Sequence, residues 1–184
     1  MDKDKLILGI DTSTSILDIA IFNSKGVILA SETSDNEKTH SERSMVAIDN
    51  VLKKANVSIN HISIFVACIG PGSYTGVRIG VAIAKGLATA TGKEYKNISS
   101  FDLMSNGKAG RVIPIINARR GAVFASAYLN GKIVMQPCRI ELAKLREKFN
   151  GGKYELIEPH SGKWKSIAIN MLGEDEIIYL GGSI

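Results

Sequence analysis

The sequence predicts an α/β fold of two related halves, of which the second is reduced. Short apolar runs typical of buried strands alternate with segments of helical periodicity. In addition, a pattern of strand, polar tip, strand, Asn-containing turn and strand occurs twice in the same order. At one constant offset the aligned pairs are Ile10 with Ile116, Asp11 with Asn117 and Val27 with Ile133. We therefore interpret the two patterns as a duplicated three-stranded meander.

The first copy of the meander opens the chain. Residues 6–10 are a continuous apolar run followed by Asp11, which is typical of a strand buried on both faces. A second strand is predicted over residues 17–22 and a third over residues 27–30. Gly26 suits the turn between them, because glycine adopts a positive φ without strain.

Two helices and a buried strand are predicted between the copies. Residues 41–55 place apolar side chains three and four positions apart on one face, as an amphipathic helix does. A buried strand over residues 61–69 follows. A second helix is predicted over residues 75–91 and ends at Gly92, since glycine is favoured just past a helix C-terminus.

The second copy occupies the C-terminal part of the chain. Its strands are predicted at residues 111–117, at residues 122–129 and from residue 133. A short helix over residues 141–149 follows, and residues 162–184 carry little pattern. We therefore divide the chain into an N-terminal subdomain, residues 1–100, and a smaller C-terminal subdomain, residues 101–184.

Composition places the chain among globular proteins. Its 184 residues are 45% hydrophobic, 22% charged and 6% aromatic, which excludes a disordered tail, a collagen-like repeat and a disulfide-rich mini-protein. The net charge of +5 permits contact with nucleic acid without requiring it. A solvated surface with additional lysines explains the charge more simply.

The cysteines and the apolar runs indicate a cytoplasmic protein. Cys68 and Cys138 lie far apart and form no CxxC motif, so both are expected to be buried thiols in a reducing compartment. No secretory signal is visible, because the first apolar run stops at Asp11. No run approaches the roughly 20 residues that span a bilayer, and no membrane contact is expected.

The first candidate site is the segment DTSTS at residues 11–15, with Asp11, Thr12 and Ser13 at the end of the first strand. Ligands bind at this position in open α/β sheets. A carboxylate beside hydroxyl groups can hold Mg²⁺-bound water and phosphate oxygens. The same residue types also form ordinary polar turns, and the motif alone does not decide between the two. At the equivalent tip of the second copy, Arg119 follows Asn117 and can meet an anion or belong to a solvated loop.

The second candidate site is the glycine-rich segment GPGSYTGVRIG at residues 70–80. Its spacing matches neither a P-loop nor a dinucleotide fingerprint, although the amides of a helix N-terminus can bind an anion. Small residues recur at every fourth position, at Gly72, Gly76, Gly80, Ala84 and Ala88. Such a strip permits close helix approach, either within the domain or at a subunit interface, and we favour a partner helix.

Neither a metal site nor a nucleophilic catalytic set is predicted. The only histidines are His40, His61 and His160, and no HxxxH or HExxH spacing occurs. No G-x-S-x-G motif is present. Ser41 and Glu42 instead suit the start of a helix, as a capping hydroxyl and as a carboxylate at the positive end of the helix dipole.

Taken in order, these motifs resemble the bacterial TsaB (YeaZ) family. The matching segments are LGIDTS at 8–13, HSE at 40–42, residues 70–80, AKGL at 84–87, Ser99-Ser100 with Leu103, NARRGAVF at 117–124 and Tyr179-Leu180. The resemblance covers nearly the whole chain and implies the duplicated, ribonuclease H-like fold of actin, Hsp70 and sugar kinases. The chain departs from the family at Asn117, where relatives usually have Asp, and its C-terminal half is shorter.

The resemblance also implies a function. TsaB-like proteins take part in making N6-threonylcarbamoyladenosine in tRNAs that read ANN codons. They pair with a TsaD-like transferase and a TsaE-like ATPase, and tRNA is reached through the complex. ATP and Mg²⁺ are used by the complex, so no cofactor of its own is expected for this chain. Alone, the chain is expected to form a homodimer.

The resulting hypothesis is a non-catalytic scaffold for a TsaD-like subunit. Its expected partner interface comprises Ser41, Met45, Ile48, Gly72, Gly76, Gly80 and Ala84. Its expected vestigial nucleotide position, with weak affinity at most, comprises Asp11, Thr12, Ser13, Asn117 and Arg119. The rival is an active ATPase or phosphotransferase of the same fold, which Asn117 and the missing second phosphate loop disfavour. A third interpretation, a glycoprotease of the M22 type, is disfavoured because the sequence has too few candidate metal ligands.

Overall fold

The computed structural model describes residues 5–35, 40–160, 162–165, 167 and 171–173. The strands are Leu6–Asp11 (β1), Leu17–Asn23 (β2), Ile28–Ser34 (β3), Ile62–Cys68 (β4), Glu94–Ile98 (β5), Arg111–Asn117 (β6), Ala122–Leu129 (β7), Lys132–Glu141 (β8) and Glu155–Ile157 (β9). The α-helices are His40–Ala55 (α1), Tyr74–Thr91 (α2), Ser100–Ser105 (α3) and Leu142–Lys148 (α4). Both predicted meanders and both predicted long helices are confirmed.

The first sheet has the strand order β3-β2-β1-β4-β5. Strands β1, β2 and β3 form the antiparallel meander, whereas β4 and β5 continue the sheet in parallel. Helices α1 and α2 cover one face, where their apolar side chains form a core with Leu8 and Ile10. The opposite face, which carries Ile7, is also buried. The apolar run of β1 is therefore explained by burial on both faces.

The second sheet repeats this order in reduced form. Its strands are arranged β8-β7-β6-β9, with an antiparallel meander of β6, β7 and β8 and with β9 parallel to β6. This sheet has four strands where the first has five. The duplication predicted from the sequence is confirmed.

Helix α3 connects the two sheets. Its Phe101 and Met104 pack among side chains of the second sheet, whereas Leu103 belongs to the apolar cluster on the first. Three elements, α3, β5 and β9, lie outside the predicted ones, because they are short. In addition, β5, with the sequence EYKNI, has little apolar periodicity.

A segment near the C-terminus returns to the first sheet. Trp164 is fully buried and stacks on Phe22 with 5.8 Å between ring centroids. It lies directly over Gly9, where an added Cβ atom would be 2.5 Å from the indole ring. The sequence places this segment in the C-terminal subdomain. It packs on the first sheet because the bare backbone at Gly9 leaves room for the indole.

Two further predictions concern the Tyr-Leu pair near the C-terminus and contact with a membrane. Tyr179 and Leu180 lie outside the described residues. Among the helices that the structure describes, none is long and apolar enough to cross a membrane.

Candidate functional site

A buried polar cluster lies at the carboxyl ends of β1 and β4. The backbone N–H and the hydroxyl of Ser13 donate to Oδ1 of Asp11, at 2.8 and 2.6 Å. The hydroxyl of Ser100, at the start of α3, is 3.0 Å from that of Ser13 and 3.1 Å from the sulfur of Cys68. All four residues are fully or almost fully buried. Burial raises the pKa of Cys68 to about 12, so the thiol is protonated and is a poor nucleophile.

Lys163 closes this cluster. Its Nζ forms an ion pair with Oδ2 of Asp11, and each side chain is 1% exposed. Burial alone would raise the pKa of Asp11, but the ammonium group and the hydrogen bonds from Ser13 outweigh burial and hold the pKa below its ordinary value. Burial would likewise lower the pKa of Lys163, and Asp11 raises it instead. Both groups therefore stay charged.

A second carboxylate faces the same lysine. Asp18 lies directly opposite Asp11 in the β1–β2 pair, and its Oδ2 accepts a hydrogen bond from the backbone N–H of Lys163 at 3.1 Å. Its Oδ1 is buried and has no hydrogen-bond partner in the part of the chain that the structure describes. Burial raises the pKa of Asp18 to about 6, against the attraction of Lys163. The single ammonium group thus offsets two carboxylates of which one is incompletely hydrogen-bonded.

The loop after β1 is also held by helix α2. The Thr12 hydroxyl donates to the carbonyl oxygen of Gly76 at 2.6 Å, and the N–H of Ser73 donates to the carbonyl oxygen of Ser13 at 2.6 Å. Ser73 caps α2 by accepting from the N–H of Gly76 at 3.2 Å. The first turn of α2 therefore packs on the backbone of residues 12 and 13.

The small-residue strip makes this contact possible. A Cβ atom at Gly76 would overlap the carbonyl oxygen of Thr12, and one at Gly72 would overlap that of Ser13. At Gly80 it would lie 2.5 Å from the Thr12 hydroxyl oxygen. The strip thus lets α2 approach the loop after β1 within the same chain.

The expected partner interface is corrected accordingly. Gly76, Gly80 and Ala84 are buried inside the chain, and Gly72 abuts the loop after β1. Ile48 is also buried, as part of the core beneath α1. Gly76, Gly80, Ala84 and Ile48 cannot line a surface because they are buried within the chain. Gly72 is half-buried, and its part in an interface stays a prediction. Ser41 and Met45 are exposed on α1, and their part in an interface stays a prediction.

The residues of the expected nucleotide position lie in two places, one buried and one exposed. Asp11, Thr12 and Ser13 are fully buried, so they do not form the open phosphate site that the sequence suggested. Asn117 and Arg119 are exposed at the end of β6. There the Asn117 Oδ1 accepts from the N–H of Arg119 at 2.8 Å and so shapes its own loop.

The described residues contain no group of three or more His, Cys, Asp or Glu side chains that could hold a metal ion. In particular, the partners of the Asp11 carboxylate are Ser13 and Lys163. The arrangement is that of a buried, ion-paired polar core.

Comparison with known proteins places these features in a family. The family model for TsaD, tRNA N6-adenosine threonylcarbamoyltransferase, matches residues 27–170. The tRNA threonylcarbamoyladenosine biosynthesis protein TsaB of Bacillus subtilis is 41% identical over 125 residues, which is 66% of this chain and 54% of that protein. The chain belongs to the TsaB (YeaZ) family. It spans about half the length of the curated TsaB relatives it matches.

Solved structures agree on the fold. YeaZ from Pseudomonas aeruginosa superposes with a TM-score of 0.72 at 22% identity, covering 83% of this chain and 75% of that chain. Component A of the (R)-2-hydroxyglutaryl-CoA dehydratase of Acidaminococcus fermentans has a TM-score of 0.50 at 16% identity, covering 75% and 48%. The TsaB-family chain therefore shares the fold of these proteins, and it has the duplicated α/β fold that its resemblance implied.

Sequence reasoning missed several residues of the polar cluster in this TsaB-family chain. Asp18 carried a signal, because it is a carboxylate inside the otherwise apolar run of β2 and such a group needs a partner. Lys163 carried none, since it lies 152 positions from Asp11 in a segment of little pattern. Ser100 and Cys68 each lacked a local motif that would connect them to Asp11.

Proposed function

We propose that this chain acts in the biosynthesis of N6-threonylcarbamoyladenosine in tRNA as a non-catalytic partner of a TsaD-like transferase. A TsaE-like ATPase completes the proposed assembly, and tRNA binds through it. The proposal rests on the family of the chain, because its curated relatives are named for threonylcarbamoyladenosine biosynthesis and the TsaD family model spans most of its length.

One structural observation supports the non-catalytic role above all. The carboxylate at the carboxyl end of β1, Asp11, is buried and paired with Lys163, so it is not free to bind Mg²⁺ or to polarise a reacting group. A phosphotransferase of this fold would need that carboxylate accessible to a metal–nucleotide complex. The proposed role is therefore to bind and position the catalytic subunit.

The exposed face of α1 is the proposed contact with that subunit. Met45 is 49% exposed and Val46 is 59% exposed, and Ser41 lies one helical turn before Met45 on the solvent side. Neighbouring exposed apolar side chains on a helix are typical of an interaction surface. The inward face of α1 is occupied by the core, so a partner would meet only this outer face.

We expect Val46→Glu to weaken binding to the TsaD-like protein of the same organism by at least tenfold, because a carboxylate would be desolvated at the interface. A tenfold change in the dissociation constant corresponds to about 1.4 kcal/mol of binding free energy. The measurement is the dissociation constant by calorimetry, with circular dichroism to confirm folding. Val134→Glu is the matched control, because Val134 is 51% exposed on the other sheet. Equal affinity of Val46→Glu and wild type would place the interface elsewhere.

A further inference from the structure

The fold of this chain implies a cation–phosphate position at Asp11, yet its residues do not fit one. Oδ1 of Asp11 accepts two hydrogen bonds from Ser13, and Oδ2 pairs with Lys163. The Thr12 hydroxyl is engaged by the carbonyl oxygen of Gly76. Both carboxylate oxygens of Asp11 and the hydroxyl of Thr12 therefore already have a partner from the chain itself.

We propose that residues 162–165 are an intramolecular plug, in which the ammonium group of Lys163 takes the place of a divalent cation at Asp11. The plug and a metal–nucleotide complex would then exclude each other. Lys163 supplies a positive charge within contact of one carboxylate and donates its backbone N–H to a second, Asp18. A divalent cation would likewise be attracted by both carboxylates.

The plug is anchored by more than its charge. The indole N–H of Trp164 donates to the backbone carbonyl oxygen of Asp18 at 3.0 Å. The indole ring stacks on Phe22 and occupies the space over Gly9, and Ile167 is fully buried in the same apolar cluster. The segment is therefore fixed by polar contacts at Asp18 and by the apolar burial of Trp164 and Ile167 on the first sheet.

The geometry also indicates what would happen without the ammonium group. Asp11 and Asp18 face each other across the β1–β2 pair, and Oδ1 of Asp18 is buried without a hydrogen-bond partner among the described residues. Removing the lysine side chain would leave two buried carboxylates around a vacated volume. Such a pair would take up a divalent cation that the wild-type chain rejects.

The test uses the purified chain alone, so it is independent of the proposed function. Binding of Mn²⁺ is measured by electron paramagnetic resonance for wild type and for Lys163→Ala. We expect binding to Lys163→Ala to be at least tenfold tighter than to wild type. Lys165→Ala is the matched control, because Lys165 lies on the exposed side of the same turn, and it should behave as wild type. The double variant Asp11→Asn/Lys163→Ala should lose the gained affinity.

Equal Mn²⁺ binding by wild type and folded Lys163→Ala would overturn the proposal. A second measurement on wild type decides the matter should Lys163→Ala fail to fold. Trp164 is the single tryptophan of the chain, so acrylamide quenching of its fluorescence reports on the plug alone. The plug is supported if wild type does not bind Mg-ATP and Trp164 is protected from acrylamide. It is also supported if Mg-ATP binds and Trp164 becomes accessible to acrylamide at the same time. Calorimetric Mg-ATP binding with Trp164 still protected would contradict it.

Discussion

Lys163→Met should lower the free energy of unfolding by about 3–5 kcal/mol, because it leaves the buried carboxylate of Asp11 without its counter-charge. Methionine keeps much of the aliphatic volume of the lysine side chain, so the loss reports on charge more than on packing. A domain stability above about 5 kcal/mol, within the usual range, leaves such a variant folded in the absence of denaturant. The measurement is urea unfolding monitored by Trp164 fluorescence and by circular dichroism.

The matched control for this effect is Lys165→Met, two positions along the chain, where the side chain is exposed. It should change the free energy of unfolding by no more than about 0.5 kcal/mol. Adding Asp11→Asn to Lys163→Met should restore a large part of the loss, since the uncompensated charge is then gone. Additive losses from the two substitutions would mean that Asp11 and Lys163 do not interact as the structure describes.

Gly76→Ala should destabilise the chain, although alanine is the better helix former. The added methyl group would overlap the carbonyl oxygen of Thr12, and because that atom belongs to the backbone, α2 and the loop after β1 must separate. Overpacking of this kind costs about 1–3 kcal/mol, and sometimes more. The gain in helix propensity, at most about 1 kcal/mol, offsets only part of it.

Gly86→Ala provides a control on the same helix. An added Cβ atom at Gly86 meets nothing within 4 Å, so this variant should be more stable than wild type by about 0.5–1 kcal/mol. We therefore expect urea unfolding to show changes of opposite sign in the free energy of unfolding for Gly76→Ala and Gly86→Ala. Two stabilised variants would show that the glycine-rich face of α2 is not pressed against the loop after β1, and the strip would again be available to a partner.

The strip illustrates how far sequence periodicity reaches. Small residues at every fourth position correctly indicated a close approach, but periodicity does not identify what approaches. For Gly72, Gly76 and Gly80 the neighbour is the loop of residues 12 and 13, held by the Thr12 hydroxyl. The duplicated meander was predictable because apolar runs are a local signal. The end of α2 was predictable because glycine is favoured just past a helix C-terminus. In the structure Gly92 is left-handed there, with a φ of 65°.

The polar cluster was beyond the same reasoning for a different physical reason. The ion pair joins residues 152 positions apart, and no periodicity connects a single lysine to a strand so distant in the chain. The apolar cluster around Trp164 and the hydrogen bonds to Asp18 bring Lys163 to Asp11. What the sequence did predict was the position of Asp11, a carboxylate at the end of a strand buried on both faces.

The most direct test of the non-catalytic role is a reconstituted modification reaction. A tRNA that reads ANN codons is incubated with threonylcarbamoyl-adenylate and the TsaD-like and TsaE-like proteins of the same organism, with Mg-ATP, in the presence or absence of this chain. Threonylcarbamoyladenosine is then quantified by mass spectrometry of the digested tRNA. We predict that it forms only when this chain and the TsaD-like protein are both present. Equal yield without the chain, or formation by the chain without the TsaD-like protein, would contradict the account.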